Sequence, residues 1–152
     1  MRNCVHLTTY ANRFGGSRLE DLQRLLDGPL QGIFGGVHIL PFFYPVDGAD
    51  AGFDPIDHSR VDPKVGTWSN VAALSDTYEI TADLIINHIS SQSPQFQDFL
   101  QKGEQSLYNG MFLTFGSVFS DGATEQDLLR IYRPRPGLPF TTMTSSNGQT
   151  SI

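Results

Sequence analysis

The sequence predicts an α/β chain with parallel strands, and three observations carry that reading. Short β-favouring runs alternate with amphipathic helical ones, polar groups gather where the strands end, and Leu84-Ile85-Ile86 forms a continuous apolar run. Such a run suits a strand buried on both faces, as parallel strands are.

Val5 to Tyr10 reads as the first strand, closed by turn residues from Asn12 to Gly16. Ser17-Arg18-Leu19-Glu20 fits a capping box, in which a Ser hydroxyl and a Glu carboxylate satisfy backbone donors at a helix start. Leu19, Leu22, Leu25 and Leu26 follow at helical spacing, and Gly28-Pro29 ends the run. Val37 to Tyr44 is the second strand, stopped as a central strand by Pro41. Strand, helix and strand make a βαβ unit with a right-handed crossover. The stretch from Asp47 to His58 then packs Asp47, Asp50, Asp54 and Asp57 among Gly48, Gly52 and Pro55. Its backbone must turn sharply, so it reads as a loop built for polar recognition at the end of a buried strand.

Thr67 or Ser69 caps a second helix with Val71, Leu74 and Tyr78 on its buried face. Ile80 to His88 is the third strand, which places Asn87 and His88 at the same end as the acidic loop. Ser93-Pro94 opens a third helix with Phe96, Phe99 and Leu100 on one face, and Lys102-Gly103 stops it. Residues 104 to 140 read as a compact irregular insertion with a short helix near Thr124 to Arg130. From Thr141 onward little is apolar, so a disordered polar tail is expected. Strands alternating with helices, with polar residues at the strand C-termini, match the opening of a (β/α)8 TIM barrel.

The chain has 152 residues and a formal net charge of -6, which argues against nucleic acid and against an anionic membrane surface. A small-molecule ligand is expected. The N-terminus lacks a signal-peptide apolar run and no spanning segment is seen, so the expected location is cytoplasmic. The single cysteine, Cys4, cannot form an internal disulfide and is expected to be a buried thiol.

Four segments carry a resemblance to a known family: Gly36-Val37-His38-Ile39-Leu40-Pro41-Phe42-Phe43, the Asp47 to His58 loop, Asp83-Leu84-Ile85-Ile86-Asn87-His88, and Tyr132-Arg133-Pro134-Arg135-Pro136-Gly137-Leu138-Pro139-Phe140. Over about residues 1 to 140 the chain resembles the sucrose phosphorylases, retaining glycoside-active barrels of the α-amylase superfamily. The resemblance implies an enzyme that transfers glucose from sucrose to inorganic phosphate by double displacement, with no cofactor and no metal. It divides the chain into the first three strands of the barrel (1–88), the start of the subdomain inserted after strand three (89–140) and the polar tail (141–152). It implies that Asp50 and His88 bond non-reacting hydroxyls of the glucosyl ring, that Phe53 faces its apolar side, and that Tyr132 and Arg135 reach toward the acceptor. The catalytic carboxylates are expected beyond residue 152, so the chain is expected to be an inactive N-terminal part of an incomplete barrel. A closed barrel needs roughly 200 residues or more.

Plainer readings stand beside these. Phe53 is a sugar platform or a core aromatic; Asn87 and Asp83 are expected to hold backbone groups; His6, His38 and His58 have no partner suggested by the sequence. The alternative function is a non-catalytic small α/β sugar- or calcium-binding module, with Asp47, Asp50, Asp54 and Asp57 as oxygen ligands. Their spacing departs from the EF-hand register, because the twelfth position from Asp47 is His58 rather than Glu. Gly15-Gly16-Ser17 before a helix offers a phosphate cradle but lacks the Lys-Ser/Thr of a P-loop. The sequence leaves the oligomeric state open.

Overall fold

Strand β1 (His6–Thr9), helix α1 (Leu19–Asp27) and strand β2 (Gly36–Ile39) form the expected βαβ unit, with β1 and β2 parallel, in a computed structural model, which describes residues 3–131, 140–144, 148 and 150–151. After β2 the chain turns into a hairpin, β3 (Phe43–Tyr44) and β4 (Asp57–Val61), then continues through α2 (Trp68–Ser75) to β5 (Glu79–Ala82). The sheet order is β1-β2-β5, all parallel, so β2 is the central strand.

Leu19, Leu22 and Leu26 on α1 are fully buried and share a core with Val37 and Ile39 of β2, Leu74 of α2 and Tyr78. Leu25 is only half-buried, at the margin of that stripe. At the start of α1 the cap differs from the expected one. The Asp21 carboxylate, not Glu20, accepts from the amides of Ser17 and Arg18, both at 3.1 Å, so Arg18 is the N-cap and the helix begins one residue later. Glu20 instead accepts from Asn70 Nδ2 at 3.2 Å and ties α1 to α2. At α2, Thr67 is the N-cap, and its amide and hydroxyl both donate to Asn70 Oδ1 at 2.9 Å.

The third strand is shorter than its apolar run suggests. Pairing with β2 stops at Ala82, and Leu84 and Ile86 are each 81% exposed while Ile85 is buried. Burial on both faces requires a neighbour that the described sheet does not supply beyond β5. The hairpin was not legible because its first arm is two residues long and its second is the polar run Asp57-His58-Ser59-Arg60-Val61.

Asp62 holds this hairpin to the core. It is 1% exposed, and its carboxylate accepts from the amides of Val46 and Lys64, each at 2.8 Å. Its own amide donates to Phe42 O at 2.9 Å. Trp68 adds an edge-on contact to Phe42 and donates from Nε1 to Ser59 O at 2.8 Å.

The chain divides into two compact units, residues 1–93 and 94–152. In the second, α3 (Pro94–Lys102) starts and stops where expected, with Phe99 buried and Phe96, Phe99 and Phe112 clustered. Short helices α4 (Phe115–Val118) and α5 (Glu125–Leu129) follow, each capped by a threonine, Thr114 and Thr124. Within the polar tail β6 (Met143–Thr144) and β7 (Thr150–Ser151) pair antiparallel, where the composition suggested only disorder. Among the described residues no helix is long and apolar enough to cross a membrane.

Two outcomes test this packing. Asp62→Ala leaves the buried Val46 amide without its acceptor, and urea unfolding should show a loss of about 2 kcal/mol. Tyr78 donates to Asp27 Oδ1 at 2.8 Å, and burial with that bond raises its phenol from 10.0 to about 12. A folded-state pKa above the unfolded one gives stability that is complete below pH 10.0 and lost as pH rises toward about 12. The denaturation midpoint should fall across that window, and Tyr78→Phe should flatten the fall.

Candidate functional site

Because β2 and β5 are parallel, the segments leaving their C-terminal ends emerge at one edge of the sheet. From β2 comes the hairpin, whose connection between Tyr44 and Asp57 contains the acidic bend. From β5 comes the run ending in Asn87 and His88.

The bend, Ala49–Gly52, is kinked rather than regularly helical, with Asp50 at φ 57° and ψ 40° and Ala51 at φ 55° and ψ 37°, both left-handed. Two successive non-glycine residues in the left-handed region cost on the order of 1 kcal/mol each. Gly52 follows at φ 88°, where an added Cβ would lie 3.2 Å from both Pro41 O and Val46 O. The result is an exposed Asp50 on a constrained turn, and the Phe53 amide closes the turn by donating to Asp50 O at 3.1 Å.

His88 meets this turn. Its Nε2 contacts the carbonyl oxygen of Phe53, the residue that closes the Asp50 turn. A carbonyl only accepts, so this contact places the proton on Nε2 and leaves Nδ1 of the neutral ring as an acceptor. The exposed imidazole and the exposed Asp50 are thus linked through one residue of backbone. Phe53 is half-buried, with its main chain engaged at both its amide and its carbonyl. Asn87 is exposed. Tyr132 and Arg135 lie outside the described residues.

Two of the remaining acids of the bend, Asp47 and Asp57, have partners of their own. Asp47 pairs with Lys64, and that bond raises the Lys64 ammonium above its usual range. Asp57 accepts from the Ser59 hydroxyl at 2.6 Å and the Ser59 amide at 2.9 Å, which hold its carboxyl below the usual carboxylate range. Among the described residues, metal-ligating atoms of these four carboxylates do not converge in any group of three. The calcium cage therefore has no geometry behind it. The phosphate cradle at Gly15-Gly16-Ser17 is filled as well, since the Asp21 carboxylate accepts the Ser17 and Arg18 amides that a phosphate would use.

One pair at this edge escaped sequence reasoning. His38 Nε2 lies 3.2 Å from Asp83 Oδ2, so His38 has a partner and Asp83 holds a side chain rather than backbone. The signal was the strand register: His38 pairs with Thr81, and Asp83, two residues on, shares the face of Thr81. His58 packs against Phe43, with ring centroids 6.2 Å apart, and its buried Nε2 finds no hydrogen-bond partner among the described residues.

No protein-family model matches the chain. It is 59% identical over 140 residues, 92% of its length, to a sucrose phosphorylase of Agrobacterium vitis, and 58% identical over 141 residues to a sucrose phosphorylase of Bifidobacterium adolescentis. It spans 29% and 28% of the lengths of these relatives. The crystal structure of sucrose 6F-phosphate phosphorylase from Thermoanaerobacter thermosaccharolyticum matches 99% of the chain with a TM-score of 0.88 and 37% identity, while the chain covers 30% of that structure.

Ala51 carries a left-handed backbone that glycine adopts without penalty. Ala51→Gly relieves about 1 kcal/mol of strain and gives back about 0.4–1 kcal/mol through the unfolded chain, so chemical denaturation should show stability unchanged or raised by up to about 0.6 kcal/mol. A loss of about 0.5 kcal/mol or more would show that the turn is not strained.

Proposed function

We propose that the chain is the opening part of a sucrose phosphorylase-like glycosyltransferase barrel and contributes part of the wall that binds the glucosyl ring. The observation that carries this reading is the contact between His88 and the Phe53 carbonyl, which brings the end of the third strand to the acidic turn. Asp50 is the acceptor for two vicinal hydroxyls, as a carboxylate offers two oxygens. His88, with Nε2 committed to Phe53, meets a hydroxyl through Nδ1. Phe53 covers apolar C–H groups of the sugar, and Tyr132 and Arg135 serve the acceptor side.

In this reading the reaction is phosphorolysis of sucrose to α-glucose 1-phosphate and fructose with retention. The nucleophile and the acid come from later strands of the full barrel, while the wall formed here acts away from the breaking bond. Binding energy at such remote hydroxyls lowers the barrier when the contacts tighten as the ring flattens toward the transition state. Among the described residues β5 is the last strand of the sheet on its side, and with Leu84 and Ile86 81% exposed just beyond it, this supports a sheet that continues through further parallel strands. The identity of 59% to a sucrose phosphorylase supports the choice of donor.

A chimera tests the reading: residues 1–140 of this chain replace the matching portion of the Bifidobacterium adolescentis enzyme, and glucose 1-phosphate release from sucrose and phosphate is measured. The chimera should turn over. Asp50→Ala in it should lower kcat/KM for sucrose by roughly tenfold to a hundredfold, the loss of charge-assisted hydrogen bonds worth about 1.5–3 kcal/mol. A folded chimera without activity, or one indifferent to Asp50→Ala, would contradict the assignment.

A further inference from the structure

At the opposite end of the sheet, three side chains of different ligand chemistry converge. Cys4 Sγ, a ring nitrogen of His6 and a carboxylate oxygen of Glu79 all lie within 4.8 Å of one another, and each residue is half-buried. Among the described residues no other group of three or more His, Cys, Asp or Glu ligand atoms comes together this way.

The strand register explains why they meet. His6, Gly36 and Glu79 are the first residues of β1, β2 and β5, and they are direct partners across the sheet. Cys4 precedes His6 by two residues, the spacing that returns a side chain to the same face of an extended chain. Between His6 and Glu79 stands a glycine, and it is the absence of a side chain there that lets them approach. An added Cβ at Gly36 would lie 2.3 Å from His6 Cε1, and one at Gly35 would lie 2.5 Å from the Cys4 Cβ and 2.8 Å from its Sγ. Gly35, just before the central strand, and Gly36, its first residue, therefore form a trough that seats the thiol and the imidazole. The main chain fixes the trough, since Gly35 N donates to Val5 O and Glu79 N donates to Gly35 O, both at 3.0 Å.

We propose that Cys4, His6 and Glu79 bind a zinc ion, a site independent of the sugar-binding reading and absent from the cofactor expectations of the sequence. One thiolate, one neutral imidazole and one carboxylate are ligands of the kind zinc takes in four-coordinate sites, with water in the fourth position. Their two negative charges balance the dication, so a half-buried site needs no further counterion. The sulfur ligand disfavours calcium and magnesium, which demand oxygen. Bound there, the ion joins the beginning of β1 to the beginning of β5 across β2 and pins the N-terminal segment to the sheet.

The test uses the 152-residue chain, kept reduced, with zinc and cobalt as the probes. Equilibrium dialysis should give one zinc per chain, and cobalt(II) in its place should show the intense near-ultraviolet thiolate-to-cobalt absorption. Cys4→Ser, which exchanges one atom and keeps the shape, should abolish that band. Zinc affinity should fall by at least about tenfold in Cys4→Ser, His6→Gln and Glu79→Gln, because loss even of a group behind a ligand costs roughly that much. Absence of zinc binding, absence of the thiolate band, or an affinity unchanged in Cys4→Ser would each overturn the proposal.

Discussion

The parallel alignment of β1, β2 and β5 is the constraint on which everything else in the first unit depends. Parallel strands put all their C-terminal ends at one edge and all their first residues at the other. One edge gathers the acidic turn, His88 and the His38–Asp83 pair; the other gathers Cys4, His6 and Glu79. The register fixes both groups together, because a slip of one residue between β2 and β5 would turn Asp83 away from His38 and Glu79 away from Gly36. The same pairing thus aligns the two groups at opposite ends of the strands, with the leucine core of α1 packed against the sheet between them.

The fold was legible where one local signal was enough. Leucine spacing gave α1, the Ser93-Pro94 start gave α3, and for α2 the sequence offered Thr67 or Ser69 as the cap, of which the structure uses Thr67. What stayed hidden required tertiary information. The β3–β4 hairpin has arms too short and too polar to show alternation, and it is secured by the buried Asp62, whose role no periodicity announces. The apolar run Leu84-Ile85-Ile86 pointed to burial on both faces, yet a strand is buried only by what packs on it, and among the described residues β5 has one strand partner. The helix cap moved from Ser17 and Glu20 to Arg18 and Asp21 because Glu20 is used to bridge to Asn70.

Asp50, Phe53 and His88 were singled out through the family resemblance, and the backbone of Phe53 lies between the other two. Their shared setting could not be read from sequence, because it rests on two left-handed residues and a glycine that only Gly52 partly signals. His38 was passed over because a lone histidine in an apolar strand carries no mark of its partner; the partner lies 45 residues away and is found only through register. Cys4 likewise reads as an ordinary thiol until Gly35 and Gly36 are placed beside it.

Whether the acidic turn and the strand-end histidine grip one sugar ring is the central claim. A double-mutant cycle in the chimeric phosphorylase, with Asp50→Ala, His88→Ala and the double variant compared by kcat/KM for sucrose, measures it directly. Two groups holding the same ring should be coupled by about 0.5–3 kcal/mol. Strictly additive effects, or no effect of either substitution, would contradict it.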